Sequence, residues 1–141
     1  MPLVSEALTH SSFPDFVLIH TGCDVSEELL LTTAQAMVDF GLRDAGYNYV
    51  VLDDCWSIGR NSSGYLVSDP DKFPNGMRYI ADQLHSMGMK FGMYSSAGIY
   101  TCGKYPGSLG YETQDAQYWA DNHVDYLKCK IMIGCGNLFL T

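Results

Sequence analysis

The stretch Tyr47–Trp56, "YNYVVLDDCW", joins an apolar run to a pair of acids. Tyr49, Val50, Val51 and Leu52 read as a buried strand, since a short unbroken apolar run rich in β-branched residues fits a strand covered on both faces. Asp53 and Asp54 then follow without a break. Two adjacent carboxylates are tolerated there only if they reach solvent, a cation or a ligand.

Upstream, "SEELLLTTAQAMVDFGL" (Ser26–Leu42) places Leu30, Ala34, Met37 and Val38 on one helical face. Ser26 is a suitable N-cap, Glu27 and Glu28 suit the first turn, and Gly41 suits the end. Downstream, "SIGRNSSGYLVSDPDKFPNG" (Ser57–Gly76) reads as one long loop rich in turn residues. Met77, Ile80, Ala81, Leu84 and Met87 mark a second helix, with Gly88 placed to terminate it. A second strand (Lys90–Ser95), a Gly-rich loop, a third helix (Thr113–Asn122) and a third strand (Val124–Lys128) complete the order.

The strand starts, near 49, 90 and 124, lie roughly 35–40 residues apart, the length of a strand, a loop and a crossover helix. Successive strands are therefore expected to run parallel in an α/β architecture. The long loops follow strands and the helix-to-strand links are short, so functional groups are expected at the strands' C-terminal ends. No Gly-rich phosphate-binding motif follows any of these strands, and no cofactor is expected.

The 141 residues are 47% hydrophobic and carry a formal charge of −8, a balance that disfavours nucleic acid and anionic membrane surfaces as partners. Apolar runs such as Phe16–Ile19 are too short to span a bilayer. The N-terminal stretch lacks a basic start and carries Glu6 and Asp15, so no secretion signal is expected in this chain. Cys23, Cys55, Cys102, Cys129 and Cys135 fit no zinc-ribbon or finger spacing, and no metal is expected. Asn61–Ser63, "NSS", fits an N-glycosylation acceptor at Asn61.

Asp53 and Asp54, Trp56, Tyr94 and Lys128 each stand at or just past the end of a predicted strand. Carboxylates and an amine can hydrogen-bond sugar hydroxyls while aromatic rings pack on the apolar face of a pyranose. For isolated residues the plainer readings are a turn cap, core aromatics and a solvated ammonium, and spacing alone leaves both sets open.

The strings "GLRDAGYNYVVLDDCW", "DPDKFPNGMRYIADQLHSMGMKFGMYSSAG" and "YTCGKYPGSLGYETQDAQYWADNHVDYLK" resemble the α-galactosidases (melibiases) of glycoside hydrolase family 27, particularly the fungal and yeast ones. LDDCW, KFPNGM, TC-x-x-x-PGS and DYLK occur in the right order, and the resemblance runs from about Gly22 to Lys128. It implies a secreted (β/α)8 barrel that removes terminal α-linked galactose with retention, through one aspartate nucleophile and another as acid/base. Asp53 and Asp54 would hold galactose hydroxyls, with Tyr94 and Lys128 lining the same pocket and Trp56 and Cys102 grouped with them. Cys23 and Cys55 match a family disulfide, and Cys102 matches half of another. Melibiose- and raffinose-type α-galactosides would be the ligands.

The resemblance divides the chain into 1–21, a non-matching segment; 22–128, part of the catalytic domain; and 129–141, a non-matching tail. The family's first strand, with its "GWNSW"-like motif, is absent or replaced here by "FPDFVLIHTG". After DYLK the family continues with an aromatic and the nucleophilic aspartate, whereas Cys129 and Lys130 stand here. An ammonium cannot replace a nucleophile that must sit about 5–5.5 Å from the acid/base carboxyl. The acid/base is expected on a later strand, so catalysis by this chain alone is not expected. A whole barrel takes about 250 residues; about three βα units of a partial, truncated barrel are recognisable, with strand edges expected to promote aggregation. Both ends read as translated non-coding sequence, since Cys-Lys can be encoded with the GTAAG of an intron start.

Overall fold

The computed structural model describes residues 16–19, by their backbone, and 22–130. The readings that rest on Glu6, Asp15 and Cys135 fall outside these residues. The chain runs β1 (Phe16–Ile19), α1 (Glu27–Asp39), β2 (Tyr49–Leu52), β3 (Ser57–Arg60), β4 (Leu66–Ser68), α2 (Gly76–Ser86), β5 (Lys90–Ser96), α3 (Glu112–Asp121) and β6 (Tyr126–Lys130).

β1, β2, β5 and β6 form a parallel sheet in that spatial order, while β3 and β4 make a separate antiparallel hairpin. Each parallel step is bridged by a helix, as a parallel pair requires. Val50, Val51 and Leu52 of β2 are fully buried, which accounts for the unbroken apolar run. One sheet face carries Val50, Leu52, Phe91 and Met93 into a core shared with Leu30, Ala34 and Met37 of α1, Met77, Ile80, Ala81 and Leu84 of α2, and Trp119 of α3. On the other face, Gly92 lets Val51 and Tyr126 close over β5: a Cβ there would lie 2.8 Å from Val51 Cγ2.

Ser26 caps α1 as expected, its hydroxyl accepting the Leu29 N–H at 3.1 Å. Glu27, 9% exposed, instead reaches across to α2. Its carboxylate accepts the Asn75 backbone N–H at 3.1 Å and side-chain N–H at 2.7 Å, tying the start of one helix to the start of the next. Gly88 follows α2 with φ +74, the left-handed position that ends a helix without strain.

Three expectations change. Ser57–Gly76 is not a plain loop: β3 and β4 pair within it, joined by a turn in which Asn61 Oδ1 accepts the N–H groups of Ser63 and Tyr65 at 2.9 and 3.0 Å. These strands are three and four residues long, too short for alternation to show. Phe16–Ile19 is itself a strand, in register with Tyr49–Leu52 of β2. The third strand runs Tyr126–Lys130, past the expected end at Lys128, because Cys129 and Lys130 keep pairing with Ser95 and Ser96.

Candidate functional site

The chain leaves β2 through Asp53 and Asp54 into Cys55, which adopts φ 71. This left-handed conformation is costly for a residue with a Cβ, so something must hold it. A disulfide from Cys55 to Cys23 does so. Lys72 Nζ adds to it, donating to the carbonyls of Cys23 at 3.0 Å and Cys55 at 3.2 Å. The turn is thus anchored to the segment before α1 and to the loop before α2.

Asp53 Oδ1 accepts the Asp54 N–H at 3.0 Å, and its Oδ2 accepts Lys128 Nζ at 3.2 Å. The pair is largely withdrawn from solvent, with side chains 9% and 15% exposed. Lys128 is brought there by strand register, since it pairs with Tyr94 across β5 and β6. Its ammonium lies 5.3 Å from the centroid of the Tyr94 ring, within cation–π range. Asp54 turns the other way. Its Oδ1 accepts the Cys55 N–H at 2.8 Å, and its Oδ2 accepts the Gly103 N–H at 2.7 Å from the loop after β5.

Cys102 and Lys130 close the cluster, with Lys130 Nζ donating to Cys102 Sγ at 3.5 Å. Burial, then the neighbouring Cys102 and the Asp54 charge, push the Tyr94 phenol well above its ordinary value. Tyr94 therefore serves as a neutral hydroxyl. Carboxylates, an ammonium and a phenol on one rim form an array of acceptors and donors suited to a polyhydroxylated ligand.

Trp56 is not part of this array. Its indole packs against Tyr118, with centroids 5.7 Å apart, and against Trp119 at 5.6 Å, while its Nε1 donates to the Tyr94 carbonyl at 2.9 Å. It is a core residue under α3, packed with Phe91 and Met93 on the helix side of the sheet, the face opposite the Tyr94 ring. The Asp-Asp-Cys turn carries it to the helix side of the sheet. Asn61 stands exposed at the hairpin turn.

Arg60 was not singled out from the sequence, yet it braces the loop that carries Gly103. Its guanidinium donates to both Asp115 oxygens at 2.6 and 2.8 Å, to the Gly64 carbonyl at 2.7 Å and to the Gly107 carbonyl at 2.8 Å. Gly107 itself admits no side chain, because a Cβ would fall 2.1 Å from the Gly98 carbonyl oxygen. The Pro-Gly-Ser of the sequence was the visible half of this arrangement; the pairing of Arg60 with a residue 55 positions away was not.

A parallel sheet with a polar cluster at the carboxyl ends of its strands defines an α/β protein of the class whose sites are built on the loops after the strands. A family model described as alpha galactosidase A (melibiase) matches residues 19–137, and the chain belongs to that family. It is 64% identical over 106 residues to alpha-galactosidase 1 of Saccharomyces cerevisiae, covering 75% of this chain and 22% of the relative. The alpha-galactosidase of Zygotorulaspora mrakii is 63% identical over the same length, with 23% of it covered. The chain thus spans less than a quarter of the curated relatives it matches. Among solved structures, the Saccharomyces cerevisiae alpha-galactosidase with raffinose superposes with a TM-score of 0.79 and 59% identity, over 83% of this chain and 26% of that one. Alpha-galactosidase I of Mortierella vinacea gives 0.79 and 48%, over 83% and 30%.

Proposed function

We propose that this chain carries the galactose-recognising side of an α-galactosidase (β/α)8 barrel, and that it binds α-galactosides without cleaving them. The observation that carries the reading is the convergence of Asp53 with Lys128, 3.2 Å apart, beside the Tyr94 ring. Asp53 and Asp54 accept from galactose hydroxyls, Lys128 donates, and the buried Tyr94 backs the site beneath the Lys128 ammonium. Cys102 borders the pocket through its contact with Lys130.

Retaining hydrolysis needs a carboxylate nucleophile, and the family resemblance implies that it stands two residues after DYLK. Lys130 occupies that position, and an ammonium cannot form the glycosyl-enzyme. The disulfide supports an oxidising, extracellular setting, and the exposure of Asn61 at a turn supports its glycosylation there. Raffinose bound to a relative supports the choice of ligand class.

The test is to titrate galactose and raffinose into the protein by isotope-edited NMR and to assay hydrolysis of a chromogenic α-galactoside alongside. Saturable shifts in the millimolar range, lost in Asp53→Asn, with no hydrolysis, are the expected result; the affinity is on the order of that of a single small-ligand site with few hydrogen bonds. Hydrolysis above the uncatalysed rate would overturn the role given to Lys130. Absence of any saturable shift from a folded protein would overturn the binding itself.

A further inference from the structure

Away from Asp53 and Lys128, where α2 ends and β6 begins, a second group of side chains converges. Asp82 and His85 lie three residues apart on α2, a spacing that sets both on one helical face. His123 enters from the turn after α3, with φ 54. Its Nδ1 lies 3.1 Å from Asp82 Oδ1. One ligand atom from each of Asp82, His85 and His123 falls within 4.8 Å of the other two.

We infer that Asp82, His85 and His123 bind a divalent transition-metal ion of the Zn2+ type, with water completing a tetrahedron. Two imidazoles and a carboxylate form a borderline donor set that suits Zn2+. With metal–ligand bonds of about 2.0–2.1 Å, two ligand atoms of a tetrahedral site lie about 3.3–3.4 Å apart. The His123–Asp82 separation is close to that distance already. The ion replaces that hydrogen bond and draws the third ligand atom in from within 4.8 Å.

His85 is oriented for the task. Its Nε2 lies 2.7 Å from Asp125 Oδ2, and the same oxygen accepts the Phe91 backbone N–H at 2.8 Å. With its Nε2–H donated to the Asp125 carboxylate, His85 carries on Nδ1 the lone pair that a metal requires. His123 is held in a left-handed turn where a helix end ordinarily carries glycine, so its imidazole is kept at a backbone cost. Arg78 opposes the cation: its Nε lies 3.2 Å from Asp82 Oδ2, and its guanidinium also donates to the Asp121 carbonyl. This neighbour sets a modest affinity, and Asp125 supplies the compensating negative charge. Cysteine spacing could not reveal the site, since it uses no thiol and joins α2 to a turn residue 41 positions away in sequence.

The bound ion would pin α2 to the turn between α3 and β6, at a place independent of the sugar cluster. Its test uses the full chain, cleared of metal, with Zn2+ as the titrant in calorimetry and in thermal melts. One saturable site with a Kd on the order of 10 μM and a Zn2+-dependent rise in Tm are expected. His123→Gly fits the left-handed turn, so the metal-free Tm stays level or rises while Zn2+ affinity falls at least tenfold and the Tm rise vanishes. Asp125→Asn, which keeps the ligands and removes the orienting charge, weakens Zn2+ about 10-fold or more. Asp53→Asn leaves Zn2+ binding unchanged. Zn2+ binding that survives both His123→Gly and His85→Ala and disappears on thiol alkylation would overturn the assignment, as would the absence of saturable heat up to millimolar Zn2+.

Discussion

Arg60–Asp115 and Lys128–Asp53 are both cation–carboxylate pairs that join distant parts of the chain, and they are built to opposite ends. Arg60 spreads four hydrogen bonds over Asp115, Gly64 and Gly107 and lies 4.1 Å over the Tyr111 ring. Asp115 is 2% exposed. Lys128 offers three N–H donors and, among the described residues, places one on Asp53 at 3.2 Å. The first pair engages all four terminal N–H groups of its guanidinium, leaving only the buried Nε without a hydrogen-bond partner, and acts as scaffold; the second leaves most of its ammonium donors unengaged among the described residues. The difference teaches that burial and charge alone do not mark a binding site; a charged head group left largely unengaged beside other polar groups is the better sign.

The largest effect should come from Asp115→Ala, which leaves a buried guanidinium without its partner. Unfolding free energy should fall by about 3–5 kcal/mol in urea denaturation. A loss under about 1 kcal/mol would mean that the pair is not the scaffold described. Reducing Cys23–Cys55, which closes a loop across a sequence separation of 32, should cost about 3–4 kcal/mol, read by melts with and without reductant.

Next comes an alkaline effect beneath the scaffold. Burial pushes the Tyr118 phenol up from 10.0 to about 12. The unfolded chain therefore loses its proton first, and stability present below pH 10 declines as pH rises toward 12. At pH 11 the decline attributable to this residue is on the order of 1 kcal/mol, and Tyr118→Phe should flatten that part of the profile. Lys128→Met should cost less than Asp115→Ala, about 1–2 kcal/mol, because Asp53 keeps the Asp54 N–H when its ammonium partner is removed, with loss of α-galactoside binding as its main consequence. Should Lys128→Met destabilise as strongly as Asp115→Ala while binding persists, the contrast between the two pairs is wrong.

Local signals carried much of the fold. Ser26, the apolar stripes of α1 and α2, Gly88 and the Tyr49–Leu52 run each state a local preference that tertiary packing did not override. The spacing of strands was enough for parallel order. What stayed hidden depended on partners far away in sequence. β3 and β4 are recognisable only as a pair, Arg60 only with Asp115, and β1 only against β2. Within the candidate site, Asp53, Tyr94 and Lys128 follow from position at strand ends. Trp56 misled for the same reason: it follows the strand end in sequence, but the turn at Cys55 sends its ring to the opposite side of the sheet.

The register of β6 also governs the charge of the cluster. Side chains alternate along a strand, so Lys128 and Lys130 share the side that meets Asp53 and Cys102, while Cys129 faces a cleft lined by Ala116 and Trp119 of α3. Lys128 and Lys130 therefore work as a matter of parity rather than composition. One residue inserted into the short link between α3 and β6 would keep every amino acid of the strand and invert their assignment. It would set a neutral thiol before the acids and drive two ammonium groups under the helix.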